Sequence, residues 1–381
     1  MKITGIICEY NPLHLGHKKQ LDAIRSRHGA DSGIVCLMSG NFVQRGEPAI
    51  LDKSLRAKAA ILSGADLVLE LPVTASLSSA EGFAQAGVSI LSGFCDHLCF
   101  GAECRDTDPL LSIARALLSA DFPEALHQQL STGLSFPAAR QKALEQLGYN
   151  AHILTQPNNI LAVEYCKAIL QQKSSMKPMP IVREGSYHDL IPDSQNPSAT
   201  ALRAQMEKGA PWKNFVPTEA VSCFENAVLH TLAAGEQAVL YRLRSMTEEE
   251  FATLPFGSEG LWRKLMHAAS KEATLEEIFT ATKSKRYTRT RLNRMVLCAF
   301  LEITQKDLET PAPYVRVLAL NTKGRQILKL ARETGHFPNI GKVQESPYQI
   351  LENRCGNLYG LFSTSVPEPA NAESRQRIYC E

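Results

Sequence analysis

ITGIICEYNPLHLGHKKQ, running from Ile3 to Gln20, frames the rest of the sequence. Ile3, Thr4, Ile6 and Ile7 are β-branched and apolar, as a buried strand requires, and the run stops at a turn signal, Asn11-Pro12. After His14 to His17, Lys18 to Ile24 reads as helix, so strand, tight turn and helix start follow one another as in a parallel α/β unit. A helix start carries unpaired N–H groups and a positive dipole end, and it accepts anions readily. Gly16 lacks a Cβ and lets a ligand approach the backbone. His14 and His17, three residues apart, share a face of the first turn. Two imidazoles there could stabilise charge on a phosphoryl group. The same spacing also suits half of a metal site or a pair of surface histidines.

Length and composition narrow the class. With 381 residues the chain can hold two or three domains, and 44% apolar with 21% charged residues describes an ordinary globular protein. A net charge of +2 means that a polyanionic partner must meet a local patch. MKITGIICEY reads as strand rather than as signal peptide, and nothing reaches the roughly 18 apolar residues of a membrane span. Ten cysteines without an export signal point to reduced thiols and a cytoplasmic location. Cys95, Cys99 and Cys104 lack the usual zinc spacing and read as core residues, as does Cys8.

Further apolar runs at Gly33–Met38, Ala65–Leu71, Asp96–Gly101 and Met179–Arg183 alternate with helical segments at Asp52–Ser63, Ser78–Leu91 and Gln156–Gln172. Such alternation predicts a parallel sheet with ligands beyond the carboxyl ends of its strands. That rule gathers His14, the glycine-punctuated Asn41–Glu47 loop, Pro72–Ser79 and Gly101–Glu103 around one crevice. Asp106 to Gly148 is helical, with breaks expected at Pro109, Pro123 and Pro137. A boundary is expected at Asn214–Pro217. Beyond it Glu219–Ala234, Glu236–Ser245, Gly260–Lys271 and Thr274–Ala281 have helical period, Met295–Ile303 forms an apolar helix, Tyr314–Leu320 a strand and Lys323–Thr334 a helix. The tail from Pro367 is expected to fray. The densest basic run is KSKRYTRTRLNR, Lys283 to Arg294. Its arginines, with Tyr287 among them, can neutralise phosphates and stack on an exposed base, or form a solvated helix face.

Four other pieces suit a nucleotide site. Gly101 leaves room for a ribose or base. Asn159, or Asn158 beside it, stands at a helix start. Arg183 ends a strand at the crevice, where guanidinium pairs well with phosphate. Ser198 and Thr200, with Arg203, open a helix whose N–H groups can hold phosphates, although a plain cap explains the hydroxyls equally.

The strand–NPxHxGH–helix arrangement resembles the HIGH-type nucleotidyltransferase superfamily. EYNPLHLGH, followed in order by GNFVQRGEPAILDK, GADLVLELP, SSAEGFA, FGAE, PNNILAVEY, SATALR and KRYTRTRLNR, resembles the bacterial tRNA(Met) cytidine acetate ligases across nearly the whole chain. The resemblance implies a Rossmann-like, parallel-sheet α/β catalytic domain over residues 1–213. It further implies a helical, basic, tRNA-binding domain over 214–310 and a small α/β region over 311–381. It implies ATP and Mg2+ as cofactors and acetate as substrate. Acetate becomes acetyl-adenylate, and its acetyl group passes to N4 of the wobble cytidine in the anticodon region of elongator tRNA(Met). His14 and His17 would be catalytic. Nucleotide contacts would come from Ile7, Cys8, Glu9, Tyr10, Asn11, Pro12, Leu13, Leu15, Gly16, Lys18, Lys19 and Gln20. Gly101, Asn159, Arg183, Ser198, Thr200 and Arg203 would complete the nucleotide site. Arg45, Lys285, Arg286, Tyr287, Arg289, Arg291 and Arg294 would meet tRNA. A small-molecule adenylyltransferase or acid–amine ligase of the same superfamily, and an inactive tRNA-binding module, are the alternatives.

Overall fold

Ile3–Cys8 forms β1, and its neighbours explain where a ligand can enter. The computed structural model describes residues 1–182, 197–284, 287–337, 339–367, 373 and 376–381. β1 pairs in parallel with β2 (Gly33–Ser39) on one side and with β6 (His97–Ala102) on the other. Between them in sequence come a two-residue hairpin, β3 (Phe42–Val43) and β4 (Glu47–Pro48), and then β5 (Leu67–Leu71), which pairs with β2. β7 (Lys177–Val182) adds in parallel to β6, while β8 (Val317–Leu320) lies antiparallel to β5 and β9 (Tyr379–Cys380) parallel to β8. The resulting order is β7-β6-β1-β2-β5-β8-β9. The chain winds outward through β2 and β5, then returns across β1 to start β6. The β1–β6 border is therefore the topological switch point, where a crevice opens at the carboxyl ends.

Burial on both faces explains why these strands are continuous apolar runs. Helix α1 (Leu15–His28) and helix α2 (Lys53–Leu62) cover one face with Leu21, Ile24, Ala57 and Ile61. Ala80–Leu91 and Pro157–Gln171 cover the other with Phe83, Val88, Val163 and Tyr165. A second apolar body of helices, including Glu236–Ser245, Leu261–Lys271, Leu275–Thr282 and Arg289–Leu301, closes around Leu243, Leu265, Phe279 and Leu297.

Several expectations change. Pro123 and Pro137 sit in the first turns of the Phe122–Ser131 and Phe136–Gln146 helices, and Pro109 in that of Thr107–Leu117. They begin helices rather than break them, because a first-turn N–H has no acceptor within the helix and its loss costs no helical bond. The helix expected over Glu219–Ala234 stops at Phe224. Beyond that point His230 donates its backbone N–H to Ile50 O and stacks on Tyr359, and this tertiary bridge overrides the helical period. A helix at Pro347–Tyr359 was not anticipated.

The described part of the tail does not fray. Besides supplying β9, it buries Glu373, whose carboxylate lies 2.6 Å from Lys53 Nζ. Lys53 also meets Glu70 at 2.7 Å, and Arg316 reaches Glu352 at 3.0 Å and Glu373 at 3.7 Å. Burial raises the Glu70 carboxyl to about 7, Lys53 opposing the rise and Glu373 adding to it. Burial would lower the Lys53 ammonium, but the two carboxylates hold it above the usual lysine value. One cation shared by two buried carboxylates thus ties Glu373 of the C-terminal tail to the central sheet.

Candidate active site

The start of α1 is built by its own histidines. His14 is the N-cap, and its Nδ1 accepts the Gly16 N–H at 3.1 Å. His17, three residues on, returns the bond: its Nδ1 accepts the His14 N–H at 3.2 Å. This is a capping box made of imidazoles. The two rings stack with centroids 3.7 Å apart, and Tyr10 stands edge-on to His17 at 4.9 Å. Because each Nδ1 accepts an N–H, each neutral ring carries its proton on Nε2 and acts as a donor. Gly16 has a steric reason beyond ligand access: a Cβ would sit 3.0 Å from His14 Cε1 and 3.1 Å from its Nδ1.

The cleft above this turn has a volume of about 420 Å³. Ile7, Cys8, Glu9, Tyr10, Asn11, His14, Gly16, His17, Lys19 and Gln20 all reach it, as the sequence reading expected. Pro12, Leu13, Leu15 and Lys18 do not line it: Leu13 is fully buried in the α1 core, and Lys18 pairs with Asp22 one helical turn away. Cys8 lines the cleft rather than the core alone. Burial and its neighbour Cys36 push its thiol well above the usual range, so it is no thiolate nucleophile.

A second helix start faces the first. Ser198 caps Ala199–Glu207 by accepting the Ala201 N–H at 3.1 Å, and Ser198, Thr200 and Arg203 line the cleft. Arg203 donates to the Asn11 carbonyl at 2.9 Å, which fixes its guanidinium at the rim. Asn11 in turn accepts the Ile50 N–H through Oδ1 at 2.8 Å. Two helix N-termini, an arginine and two imidazole donors therefore converge, and an anion of several charges fits. Gly101 borders the cleft with nothing within 4 Å of where a Cβ would stand.

Asn159 is placed differently from the expectation. It is buried, and its Oδ1 accepts the Glu103 and Cys104 N–H groups at 3.0 and 2.9 Å. Glu103 answers by accepting the Asn159 N–H at 2.9 Å and the Asn158 side-chain amide at 2.7 Å. Asn159 staples the Phe100–Glu103 segment to the next helix, and its neighbour Asn158 faces the cleft. Arg183 lies outside the described residues, as do Lys285 and Arg286.

Arg56 escaped the sequence reading. Its guanidinium, fully buried, donates to the carbonyls of Leu51 at 2.8 Å, Glu9 at 2.6 Å, Ser39 at 3.1 Å and Gly40. It clamps the ends of β1 and β2 together beneath the cleft. The only hint was an arginine flanked by Leu55 and Ala57 in α2.

The Gln44–Glu47 turn borders the cleft through Gln44, Arg45 and Glu47, and Glu9 holds it by accepting the Gln44 N–H at 2.9 Å. On its other side the turn rests on the Arg289–Leu301 helix: Gly46 has φ +75°, and a Cβ there would meet Arg294 N at 2.3 Å.

This contact corrects the reading of the basic run. Arg294 is 8% exposed, donates to Gln44 O at 3.2 Å and lies over Phe256; burial lowers its pKa to about 10. Tyr287 is buried and donates to Glu259, so it offers no platform for a base. Arg289 forms a fork with Glu276 at 2.8 and 2.6 Å. Arg291 donates to Phe256 O and Ser258 Oγ, both at 2.9 Å. Among the described arginines of the run, Arg289 and Arg291 keep part of their surface exposed, whereas Arg294 is buried.

The HIGH Nucleotidyl Transferase family model matches residues 1–374. A tRNA(Met) cytidine acetate ligase of Clostridium perfringens is 36% identical, with 96% of each chain covered. The chain belongs to the tRNA(Met) cytidine acetate ligase family, within the HIGH nucleotidyl transferases. The crystal structure of apo Thermotoga maritima TmcAL superposes over 100% of both chains with a TM-score of 0.91 at 29% identity. That of Thermotoga maritima TmcAL bound with alpha-thio ATP gives a TM-score of 0.88 at 28% identity, again over 100% of both. Family membership agrees with the cleft: an acetate ligase of this kind must bind ATP, and the converging donors suit its phosphates.

Proposed function

We propose that the cleft joins acetate to the α-phosphate of ATP and passes the acetyl group to N4 of the wobble cytidine of elongator tRNA(Met), giving N4-acetylcytidine. The observation that carries this reading is the convergence of the His14–His17 cap, the Ser198 helix start and Arg203 at the switch point. An acetate oxygen attacks the α-phosphorus and pyrophosphate leaves. Negative charge rises on the phosphoryl oxygens, and the Nε2–H donors are already oriented by the backbone, so little reorganisation is needed. Lys19 and Arg203 supply fixed positive charge at the rim. Mg2+ would be held chiefly by phosphate oxygens and would neutralise their charge. Acetyl-adenylate is itself activated, which fits a cleft thiol that stays protonated.

In this reading residues 1–213 form the catalytic domain and 214–310 the helical, tRNA-facing domain. Residues 311–381 then complete the catalytic sheet through β8 and β9. Arg45 would meet tRNA or the adenylate from the Gln44–Glu47 turn. The exposed edges of Arg289 and Arg291 remain for phosphates, whereas Arg294 and Tyr287 serve the fold. Ten unpaired cysteines suit a reducing, cytoplasmic setting, and among the described residues no helix is long and apolar enough to cross a membrane. Acetate-dependent exchange of labelled pyrophosphate into ATP tests the first half-reaction. Exchange that requires acetate and vanishes in His17→Ala is expected; exchange without acetate dependence would refute acetate activation.

A further inference from the structure

When an amine attacks an acyl-adenylate, its nitrogen gains a fourth bond and must lose a proton. The histidine pair is poorly placed to take it, since both Nδ1 atoms already accept backbone N–H groups and the protons sit on Nε2. Cys8, Tyr10 and Tyr165 also line the cleft, but burial holds all three protonated. Among the described residues lining the cleft, two carboxylates remain, Glu9 and Glu47. Glu47 sits on the helical-domain side, within 3.5 Å of the Asn293 amide. Glu9 stands at the end of β1, five residues before His14, and the Gln44 N–H fixes one of its oxygens at 2.9 Å.

Resting on the acetyl-transfer reading, we infer that Glu9 is the general base that receives the N4 proton of the attacking cytidine. A carboxylate is also the acceptor that cytosine N4 calls for, and it would repel the O4 of uracil. Glu9 thereby both selects cytosine and deprotonates it. The N4 lone pair forms the C–N bond to the acetyl carbon. The bond from that carbon to the phosphate oxygen breaks, and AMP leaves with the electron pair. The N4 proton moves to a Glu9 oxygen and from there to water. Burial raises the Glu9 carboxyl above its ordinary value; the Gln44 N–H, Arg45 and Arg203 restrain the rise and Glu47 adds to it. Tyr165 faces it from the Pro157–Gln171 helix and stays neutral. A raised carboxylate is the stronger proton acceptor.

Glu9→Gln decides between this role and a purely structural one, because the amide oxygen still accepts the Gln44 N–H but cannot take a proton. In single-turnover acetyl transfer to tRNA, Glu9→Gln should be slower by about 10²-fold or more. The wild-type rate should fall as pH drops through the raised Glu9 value, and that acidic limb should be absent from Glu9→Gln. Transfer at the wild-type rate by a folded Glu9→Gln, or survival of the limb in it, overturns the inference. Should Glu9→Gln fail to fold, the wild-type profile decides alone: a limb above the ordinary carboxylate range supports the base, and a flat profile down to about pH 5 removes it. Wild-type protein without acetate-dependent pyrophosphate exchange would defeat the underlying reading instead. Exchange together with normal Glu9→Gln transfer would defeat the Glu9 assignment alone.

Discussion

The His14–His17 turn and the Lys283–Arg294 run were the two most conspicuous stretches of this sequence, and the fold treats them oppositely. The histidines satisfy each other's backbone and still border a cleft of about 420 Å³. The described arginines, Arg289, Arg291 and Arg294, find partners in other segments: Glu276, Phe256, Ser258 and Gln44. A motif whose geometry is closed within four residues keeps its chemistry available. A charge run whose partners are distant is consumed by packing. The difference is between local and tertiary satisfaction of polar groups.

The largest effect should come from separating the two duties of His14. Asparagine caps a helix well, so His14→Asn should preserve the start of α1 while removing an imidazole donor. Acetate-dependent pyrophosphate exchange should fall by about 10²–10³-fold with the thermal midpoint nearly unchanged. His14→Ala should lose a similar activity and roughly 1 kcal/mol of stability as well. Full exchange in His14→Asn would mean that the histidine is only a cap.

Arg294→Met comes next. It would leave the Gln44 carbonyl without its donor beneath the cleft-lining turn, at a cost of about 1–3 kcal/mol in denaturant unfolding. An unchanged midpoint with weakened tRNA binding would return Arg294 to the nucleic-acid face.

The smallest effect belongs to Arg289. Its pair with Glu276 is largely solvent-exposed, so Arg289→Ala should cost less than about 1 kcal/mol. If its free edge meets a phosphate, the logarithmic salt dependence of tRNA binding should become shallower by about 0.7–0.9. An unchanged slope would assign Arg289 wholly to the fold.

The same distinction explains what the sequence revealed elsewhere. β1, β2, β5 and β6 were visible because strands buried on both faces need uninterrupted apolar runs. Ser198 and Asp52 were visible as caps, a local property. Asn158 and Asn159 could not be told apart, because the answer lies in the reciprocal bonds to Glu103. Arg56 binds the carbonyls of Glu9, Ser39, Gly40 and Leu51, at and just beyond the end of β2 and in the segments that follow β1 and β4, which no spacing rule encodes. The tail looked frayed because Glu373 meets a lysine 320 positions away, and polarity alone suggests solvent. His230 ended a helix through a bridge to Ser363 and a stack on Tyr359, again distant in sequence.

The most direct test of the account is nucleoside mass spectrometry after incubating the protein with ATP, magnesium, isotopically labelled acetate and bulk tRNA. Labelled N4-acetylcytidine should appear in the wild-type reaction, require ATP, and be absent or reduced by about 10²-fold or more in His14→Asn and Glu9→Gln. Absence of the labelled nucleoside in the wild-type reaction, or equal labelling without ATP, would contradict the account.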